Sequence, residues 1–282
     1  MRMAQMLEVR KKQNNPLFWV FVLFILVITL FPVYWILATS LKNPLEVVLP
    51  NPTFVPKAPT LENYVAVLQS GFLRNMLNSL IVSLGATMLS LFLSFTAAYA
   101  LSRFKFPLAF NLIFMIWILL VKILPPVVLA IPLYTMFNSM RLINNLIGLI
   151  LVYQVYTLPY CTWMLFGFLK SVPRTFEEAA QIDGASKAVI LWEIVTPIAR
   201  TGLVATSIFS VIAAWDEFLF GLLFIRTPAL RTLPLVIVDY IGEYETLWGH
   251  LMSIGLITSV PVLIFSNFVY KHYTKGFSMG EK

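Results

Sequence analysis

Three ionisable side chains lie within otherwise apolar stretches of the sequence: Lys122, Asp216 and Glu217. Charged groups inside a membrane are costly, and they usually serve transport, proton transfer or polar contacts between helices. Asp216 and Glu217 therefore line a translocation path or contact a partner chain. Alternatively, they lie at a polar interface of the bundle or near the outer end of the span. Lys122 and Glu217 carry opposite charges and could form a pair, although no sequence spacing brings them together.

No metal or disulfide chemistry is predicted from the other candidate residues. The two histidines, His250 and His272, are far apart and have no second histidine or cysteine near them, so a zinc-type ligand set is missing. Cys161 is the only cysteine, which excludes an intrachain disulfide. Its apolar neighbours indicate a buried structural thiol.

The motifs of several enzyme classes are also missing. No glycine is followed by lysine, so the chain has no G-x-x-x-x-G-K-[ST] motif and cannot hold the phosphates of ATP in that mode. It contains neither G-x-S-x-G nor H-E-x-x-H. We therefore expect a non-catalytic protein that has no cofactor and no metal ion.

The composition indicates a bundle of membrane spans. The 282 residues are 59% hydrophobic and 12% charged, with a mean hydropathy of +0.84, whereas soluble domains contain about 25% charged residues. A helix needs about 20 apolar residues to cross the bilayer core. Six stretches meet this requirement: 17–39, 76–101, 107–133, 143–169, 201–225 and 248–270.

The distribution of basic residues orients this bundle. With the N-terminus inside, the cytoplasmic segments contain 13 lysines and arginines and the outer segments contain 6. Lysine and arginine concentrate on the cytoplasmic side of membrane proteins, so both termini are predicted to lie inside. The short loop that holds Arg103 and Lys105 is the clearest single indication. The net charge of +7 therefore reflects orientation, and no nucleic-acid partner is expected.

The segment 171–202, between the fourth and fifth spans, is longer than a connection between helices requires. Thr175 and Glu178 fit a capping box, which predicts a helix from Phe176. Asp183 and Gly184 then predict a sharp stop, because glycine readily takes the left-handed conformation that ends helices.

A second helix is predicted directly after this turn. Ser186 is its expected N-cap, and Pro197 is expected to end or kink it. Its apolar residues recur at roughly helical spacing. Two ordered helices on the cytoplasmic side indicate a docking surface.

The same segment resembles the EAA loop of the permease subunits of binding-protein-dependent ABC importers. The family pattern is Glu-Ala-Ala, three residues, Gly, nine residues, Ile, one residue, Leu-Pro. It is matched here by Glu178-Ala179-Ala180, Gly184, Ile194 and Thr196-Pro197, and Thr196 in place of leucine is the only departure.

Other segments resemble the carbohydrate branch of this family, which includes the smaller permease of maltose-type importers. They are residues 122–126, 131–134, 214–218, 232–234 and 275–280. That branch usually has asparagine where this chain has Asp216.

The resemblance implies an all-α membrane protein with six transmembrane helices, both termini inside, the type I ABC importer permease fold and a cytoplasmic coupling helix. It implies three regions. Residues 1–70 hold the N-terminal tail, the first span and an outer loop. Residues 71–270 form the permease core with the EAA loop at 171–202, and residues 271–282 form a C-terminal tail.

Coupling to separate ATPase subunits is the role that the resemblance implies for the loop. Its first helix would sit in a groove of an ATPase, with Glu178 facing a basic residue. The residues assigned to coupling are Glu177, Glu178, Ala179, Ala180, Asp183, Gly184, Ala185 and Pro197. Those assigned to the pathway or to a contact between subunits are Lys122, Asp216 and Glu217.

The implied function is the import of a sugar or a related polyol, driven by ATP hydrolysis on other subunits. The implied partners are a second permease of different sequence, two ATP-binding subunits, an extracytoplasmic sugar-binding protein and membrane lipid. The implied location is the cytoplasmic membrane of a bacterium or archaeon. The alternative is a proton-coupled secondary transporter that uses Lys122, Asp216 and Glu217, but this alternative gives no reason for the loop.

Overall fold

The computed structural model of the chain describes residues 16–104, 106–242 and 246–277, and their side chains except those of 108, 119, 122 and 268–277. Within these ranges the structure is helical, apart from one isolated β-bridge between Ile241 and Thr246. The described residues form two compact units. One holds residues up to Ser70 together with 240–257, and the other holds 71–239 together with residues from Thr258.

The first unit begins with helix α1, Pro16–Ser40, which contains Pro32 and is apolar along its length. Most of its side chains are exposed, as expected of a helix whose surroundings are lipid. Two short helices follow, α2 at Pro44–Val47 and α3 at Glu62–Gln69.

Buried polar groups fix the segment between α1 and α3. The Asn63 side-chain amide donates to the carbonyl oxygens of Ser40, at 2.9 Å, and Lys42, at 2.8 Å. The carboxylate of Glu46 accepts from the Thr53 hydroxyl at 2.7 Å and from the Lys57 amide at 3.0 Å. These bonds give the segment a defined structure despite its many prolines.

The structure of this segment is expected to depend on the charge of Glu46. The Thr53 hydroxyl and the Lys57 amide lower the pKa of this carboxyl, so the charged form stabilises the fold above the usual glutamate pKa. That stabilisation is lost as the pH falls through the lowered pKa. Limited proteolysis of the segment should therefore accelerate in acid. Glu46→Gln should already be cleaved fast at neutral pH, whereas Glu62→Gln, at an exposed position of α3, should behave as the parent protein does.

The second unit is built around α4, Phe72–Arg103, which packs against α8 and α11. The helices that follow α4 are α5 (Leu108–Ile123), α6 (Pro126–Ser139), α7 (Leu146–Val152), α8 (Gln154–Ser171), α9 (Thr175–Ile182), α10 (Lys187–Val189), α11 (Thr196–Trp215), α12 (Leu219–Phe224) and α13 (Leu233–Asp239). Helix α14, Trp248–Phe277, begins in the first unit and continues in the second.

Small polar side chains join α4 to α8. Ser90 of α4 is 2.5 Å from the side-chain oxygens of Gln154 and Thr157. One helical turn further along, the Thr162 hydroxyl donates to the Ser94 hydroxyl at 3.0 Å. Without a hydrophobic force between helices in lipid, small residues and such hydrogen bonds hold membrane helices together.

The first, second and sixth predicted spans coincide with helices α1, α4 and α14. The fourth is a pair of helices, α7 and α8, that meet at 42°. Within the described residues four helices are long and apolar enough to cross a membrane, or five if this bent pair is one span. The count of six spans and the inside position of both termini stay predictions.

The third predicted span, 107–133, is divided rather than continuous. Helix α5 ends at Ile123 and α6 begins at Pro126, with Leu124 and Pro125 in extended conformation between them. Proline lacks the backbone N–H and disfavours helical conformation in the residue before it. The Pro125-Pro126 pair therefore breaks the helix.

Several predictions concern residues that the structure describes only in part. Arg2, Arg10, Lys11, Lys12 and Lys105, which contribute to the predicted orientation, lie outside the described residues. In the predicted tail at 271–282, the helical backbone of α14 extends to Phe277, and residues 278–282 lie outside the described ranges.

Candidate functional site

Helix α9 begins one residue earlier than predicted. Thr175 is its first helical residue and Arg174 precedes it, so the predicted capping box is wrong. A capping residue needs a non-helical backbone, whereas Thr175 lies within the helix. Even Arg174, before it, has its backbone in the right-handed helical region. The amides of Glu177 and Glu178 bond to the Arg174 carbonyl, at 2.9 and 3.0 Å.

Glu177 points inward from α9 and forms a buried ion pair with the end of α4. Its carboxylate lies 2.6 Å from Nε of Arg103, and the two side chains are 6% and 8% exposed. The Tyr99 hydroxyl donates to the second carboxylate oxygen at 3.0 Å. Glu177 is therefore committed to contacts within the chain.

Further contacts hold the inner face of α9 on the bundle. A second nitrogen of Arg103 donates to the Val172 carbonyl at 3.0 Å, and Arg174 donates to the Ser102 carbonyl at 2.8 Å. Ala180 is buried in a cluster with Phe95, Ala98, Tyr99, Leu165, Leu169, Ile190, Leu191, Val195 and Ala199. Its small side chain thus serves the close approach of α9 to its own bundle.

The opposite face of α9 is exposed and partly apolar. Glu178 and Ala179 are exposed, and Ile182 is 87% exposed. At about 100° per residue, these three side chains share the side of the helix that faces away from Glu177 and Ala180. The structure therefore divides the residues assigned to coupling between two faces.

The turn after α9 has the predicted glycine geometry. Gly184 has a φ of +82°, its amide donates to the Gln181 carbonyl, and the Ala185 amide donates to the Ala180 carbonyl. This pair of bonds is the Schellman motif. Asp183 is the exposed C-cap of the helix. The predicted stop at Asp183-Gly184 is confirmed.

The second helix of the loop starts as predicted and does not stop at Pro197. The Ser186 hydroxyl caps α10 by accepting from the Val189 amide at 3.3 Å. A π-helical stretch, Ile190–Val195, then leads directly into α11, which runs through Pro197 to Trp215. The π turn shifts the hydrogen-bond register and accommodates a proline that has no N–H to donate.

A cavity of about 430 Å³ lies among helices of the second unit. Its lining residues are Val121, Leu124, Pro126, Leu129, Val155, Tyr156, Ala213, Asp216, Glu217, Phe218 and Leu219. The broken third span and the end of α11 both contribute to it. Asp216 and Glu217 thus both line one apolar cavity, and the side chain of Lys122 lies outside the described residues.

Asp216 and Glu217 lie after a helix rather than inside the predicted span 201–225. Helix α11 ends at Trp215, and Asp216 is its exposed C-cap. Glu217 is buried, and its carboxylate accepts from the amides of Phe220 at 2.9 Å and Gly221 at 3.1 Å. It therefore satisfies free N–H groups at the start of α12, and these two bonds stabilise the buried carboxylate.

Sequence reasoning missed Tyr99 and Arg103 as members of the loop site. Both lie on one face of α4, because residues four apart are neighbours on a helix surface. Arg103 is also the last residue of α4, where a cation is favoured by the helix dipole. The signal that could have indicated the ion pair is a basic residue at the end of α4 together with the acidic pair Glu177 and Glu178 in the loop 171–202.

Residues 90–278 match the sequence profile of the family described as "Binding-protein-dependent transport system inner membrane component". The match covers more than half of the chain and includes α9 and the whole cavity lining. The chain belongs to this family. Its members are permease subunits of ABC transporters.

Two relatives of this permease are named for sugar-related transport systems. It is 38% identical over 268 residues to the sulfoquinovosyl glycerol transport system permease protein SmoH of Agrobacterium fabrum, with 95% of this chain and 93% of that protein covered. It is 32% identical over 263 residues to the trehalose/maltose transport system permease protein MalG of Thermococcus litoralis, with 90% and 91% covered.

A solved structure shares the fold of the permease. The TM-score is 0.76 to a chain of a bacterial ABC transporter involved in the import of the acidic polysaccharide alginate, at 19% identity and with 97% and 98% of the two chains covered. The permease therefore has the type I ABC importer permease fold.

Proposed function

We propose that the permease is a non-catalytic subunit of an ATP-driven importer for a sugar or a related polyol. It lies in the cytoplasmic membrane of a bacterium or archaeon, with six spans and both termini inside. It forms the translocation path with a second permease of different sequence. Two ATP-binding subunits dock on the loop 171–202, and an extracytoplasmic sugar-binding protein delivers the substrate.

The exposed face of α9 is the observation that carries this proposal. A helix that is held on one side by a buried ion pair and presents Ile182 on the other has an apolar surface available to a partner. Glu178 and Ala179 lie on the same face. The small side chain of Ala179 fits a groove that the helix approaches closely, and Glu178 fits a basic residue in that groove. Asp183 and Gly184 end the helix sharply, so that the docking element is short.

The sugar class rests on the relatives, whose names specify sulfoquinovosyl glycerol and trehalose or maltose. The cavity that Asp216 and Glu217 border is the proposed part of the path, or of the contact with the second permease, in which Lys122 also takes part. Apolar walls with a few polar groups are typical of sites for small ligands.

The docking role of Glu178 is testable by purification of the permease with its ATP-binding subunits. Glu178→Ala should bind the ATP-binding subunits with about tenfold lower affinity, corresponding to about 1.4 kcal/mol of binding free energy, because the partner's basic residue loses its counter-charge. Less ATPase should therefore be retained. The permease itself should fold normally, since Glu178 is exposed. Glu193→Ala removes an exposed carboxylate from the same loop and is the matched control. Equal retention by both variants would refute the docking role of Glu178.

A further inference from the structure

The buried pair of Arg103 and Glu177 links α9 to the longest helix of the second unit. We infer that Arg103 is a positioning residue, which acts through Glu177 to make α9 and α4 move as one rigid body when the ATPases close. This inference rests on the proposed function, because the force on α9 comes from the docked ATPases. It assigns the two neighbouring glutamates different tasks: Glu178 meets the partner, and Glu177 transmits the motion inward.

Arg103 holds both α9 and the segment that leads into it. Its Nε bonds to the Glu177 carboxylate at 2.6 Å, and another nitrogen donates to the Val172 carbonyl at 3.0 Å, which lies before the start of α9. A planar guanidinium has several donors in fixed directions, so two such contacts fix the orientation of α9 as well as its position. Lysine could supply the charge but only a single donor group.

The geometry around the carboxylate restricts Glu177 further. Tyr99 donates to the oxygen that Arg103 does not use, so both oxygens of Glu177 have donors on α4. The pair is almost fully buried, where charges are screened little by water and salt. Separation of α9 from α4 would leave a buried charge without its partner, which is strongly unfavourable.

Helix α4 can carry a displacement of α9 into the bundle. Its 32 residues correspond to a length of about 48 Å, and it packs against both α8 and α11. The Arg174 bond to the Ser102 carbonyl, at 2.8 Å, adds a second attachment at the same end of α4. A push on the outer face of α9 is thus delivered to the end of a long, packed helix.

Spin labels test this inference in the assembled transporter without knowledge of the substrate. One label is attached at Gln181→Cys, on α9, and the other at Leu84→Cys, which is exposed on α4 about 28 Å from Arg103 along the helix axis. The native Cys161 is buried. The distance between the labels is measured by electron paramagnetic resonance with and without ATP and vanadate.

The expected distance in the parent protein is the same in both states, because α9 and α4 move together. In Glu177→Gln, which keeps the shape but loses the ion pair, ATP and vanadate should change the distance by about 1–2 Å, the scale of helix shifts at subunit interfaces. Arg103→Lys should show a smaller change in the same direction. Asp239→Asn, which removes the exposed pair with Arg231, should behave as the parent does.

Each outcome decides the inference. The inference is overturned if the distance between the labels is unaffected by nucleotide in both variants. It is also overturned if a variant changes that distance equally with and without nucleotide, since such a change reflects only looser packing of α9. If Glu177→Gln does not assemble, Arg103→Lys gives the same test. Failure of the proposed function is distinguishable, because the parent permease would then not retain the ATPases at all.

Discussion

Ala179→Trp is expected to abolish docking of the ATP-binding subunits while leaving the permease folded. Ala179 is exposed on the outer face of α9, so the indole points away from the buried core of its own bundle. A partner groove that is shaped for a methyl group cannot take an indole without moving apart, because interface cores are packed as densely as protein interiors. Loss of contact along the whole outer face of α9 should lower the affinity of the permease for the ATP-binding subunits by more than about 100-fold, equivalent to about 2.8 kcal/mol.

The retained ATPase after purification, together with the thermal stability of the permease in detergent, measures this effect. Ala188→Trp is the matched control, since Ala188 is also an exposed alanine but lies on α10 after the turn. The control should retain the ATPases. If Ala179→Trp binds them as strongly as Ala188→Trp does, the outer face of α9 is not the docking surface.

The local features of the loop were predictable from sequence because each depends on near neighbours. Gly184 ends α9 and Ser186 starts α10 through backbone conformation and bonds that span a few residues. Which of Glu177 and Glu178 faces the bundle was not predictable in this way. Two adjacent helical residues point about 100° apart, and which one faces inward is decided by Arg103, far away in the sequence.

The span boundaries show the same division. An apolar run predicts that a helix exists, and α1 and α4 follow such runs. The apolar run 201–225 gives no sign that α11 ends at Trp215, because apolar residues continue beyond that point. There Glu217 bonds to the amides of Phe220 and Gly221, and a new helix starts. Where a helix ends is set by such bonds, which hydropathy does not register.

Among the glycines of the second unit whose surroundings the structure describes, Gly148 is expected to show the largest effect on folding when it is replaced by alanine. Gly148 lies in α7, and a β-carbon there would overlap the backbone carbonyl oxygen of Leu142. Backbone cannot rotate away as a side chain does, so the loop before α7 would have to move. That loop is held by Asn144, whose side-chain oxygen accepts from the amides of Arg226 at 3.1 Å and Thr227 at 2.9 Å.

The strain in Gly148→Ala should therefore lower the free energy of unfolding by about 3 kcal/mol, at the upper end of typical overpacking costs. Gly167→Ala is the matched control, because Gly167 is also helical, in α8, and its new β-carbon would meet no atom within 4 Å. It should stabilise the permease by about 0.5–1 kcal/mol, since alanine is the better helix former. Thermal unfolding of the two variants in one detergent compares them directly. Equal melting temperatures would contradict the close approach of Gly148 to Leu142. They would also contradict the packing of the loop before α7, which Asn144 joins to the residues that follow α12.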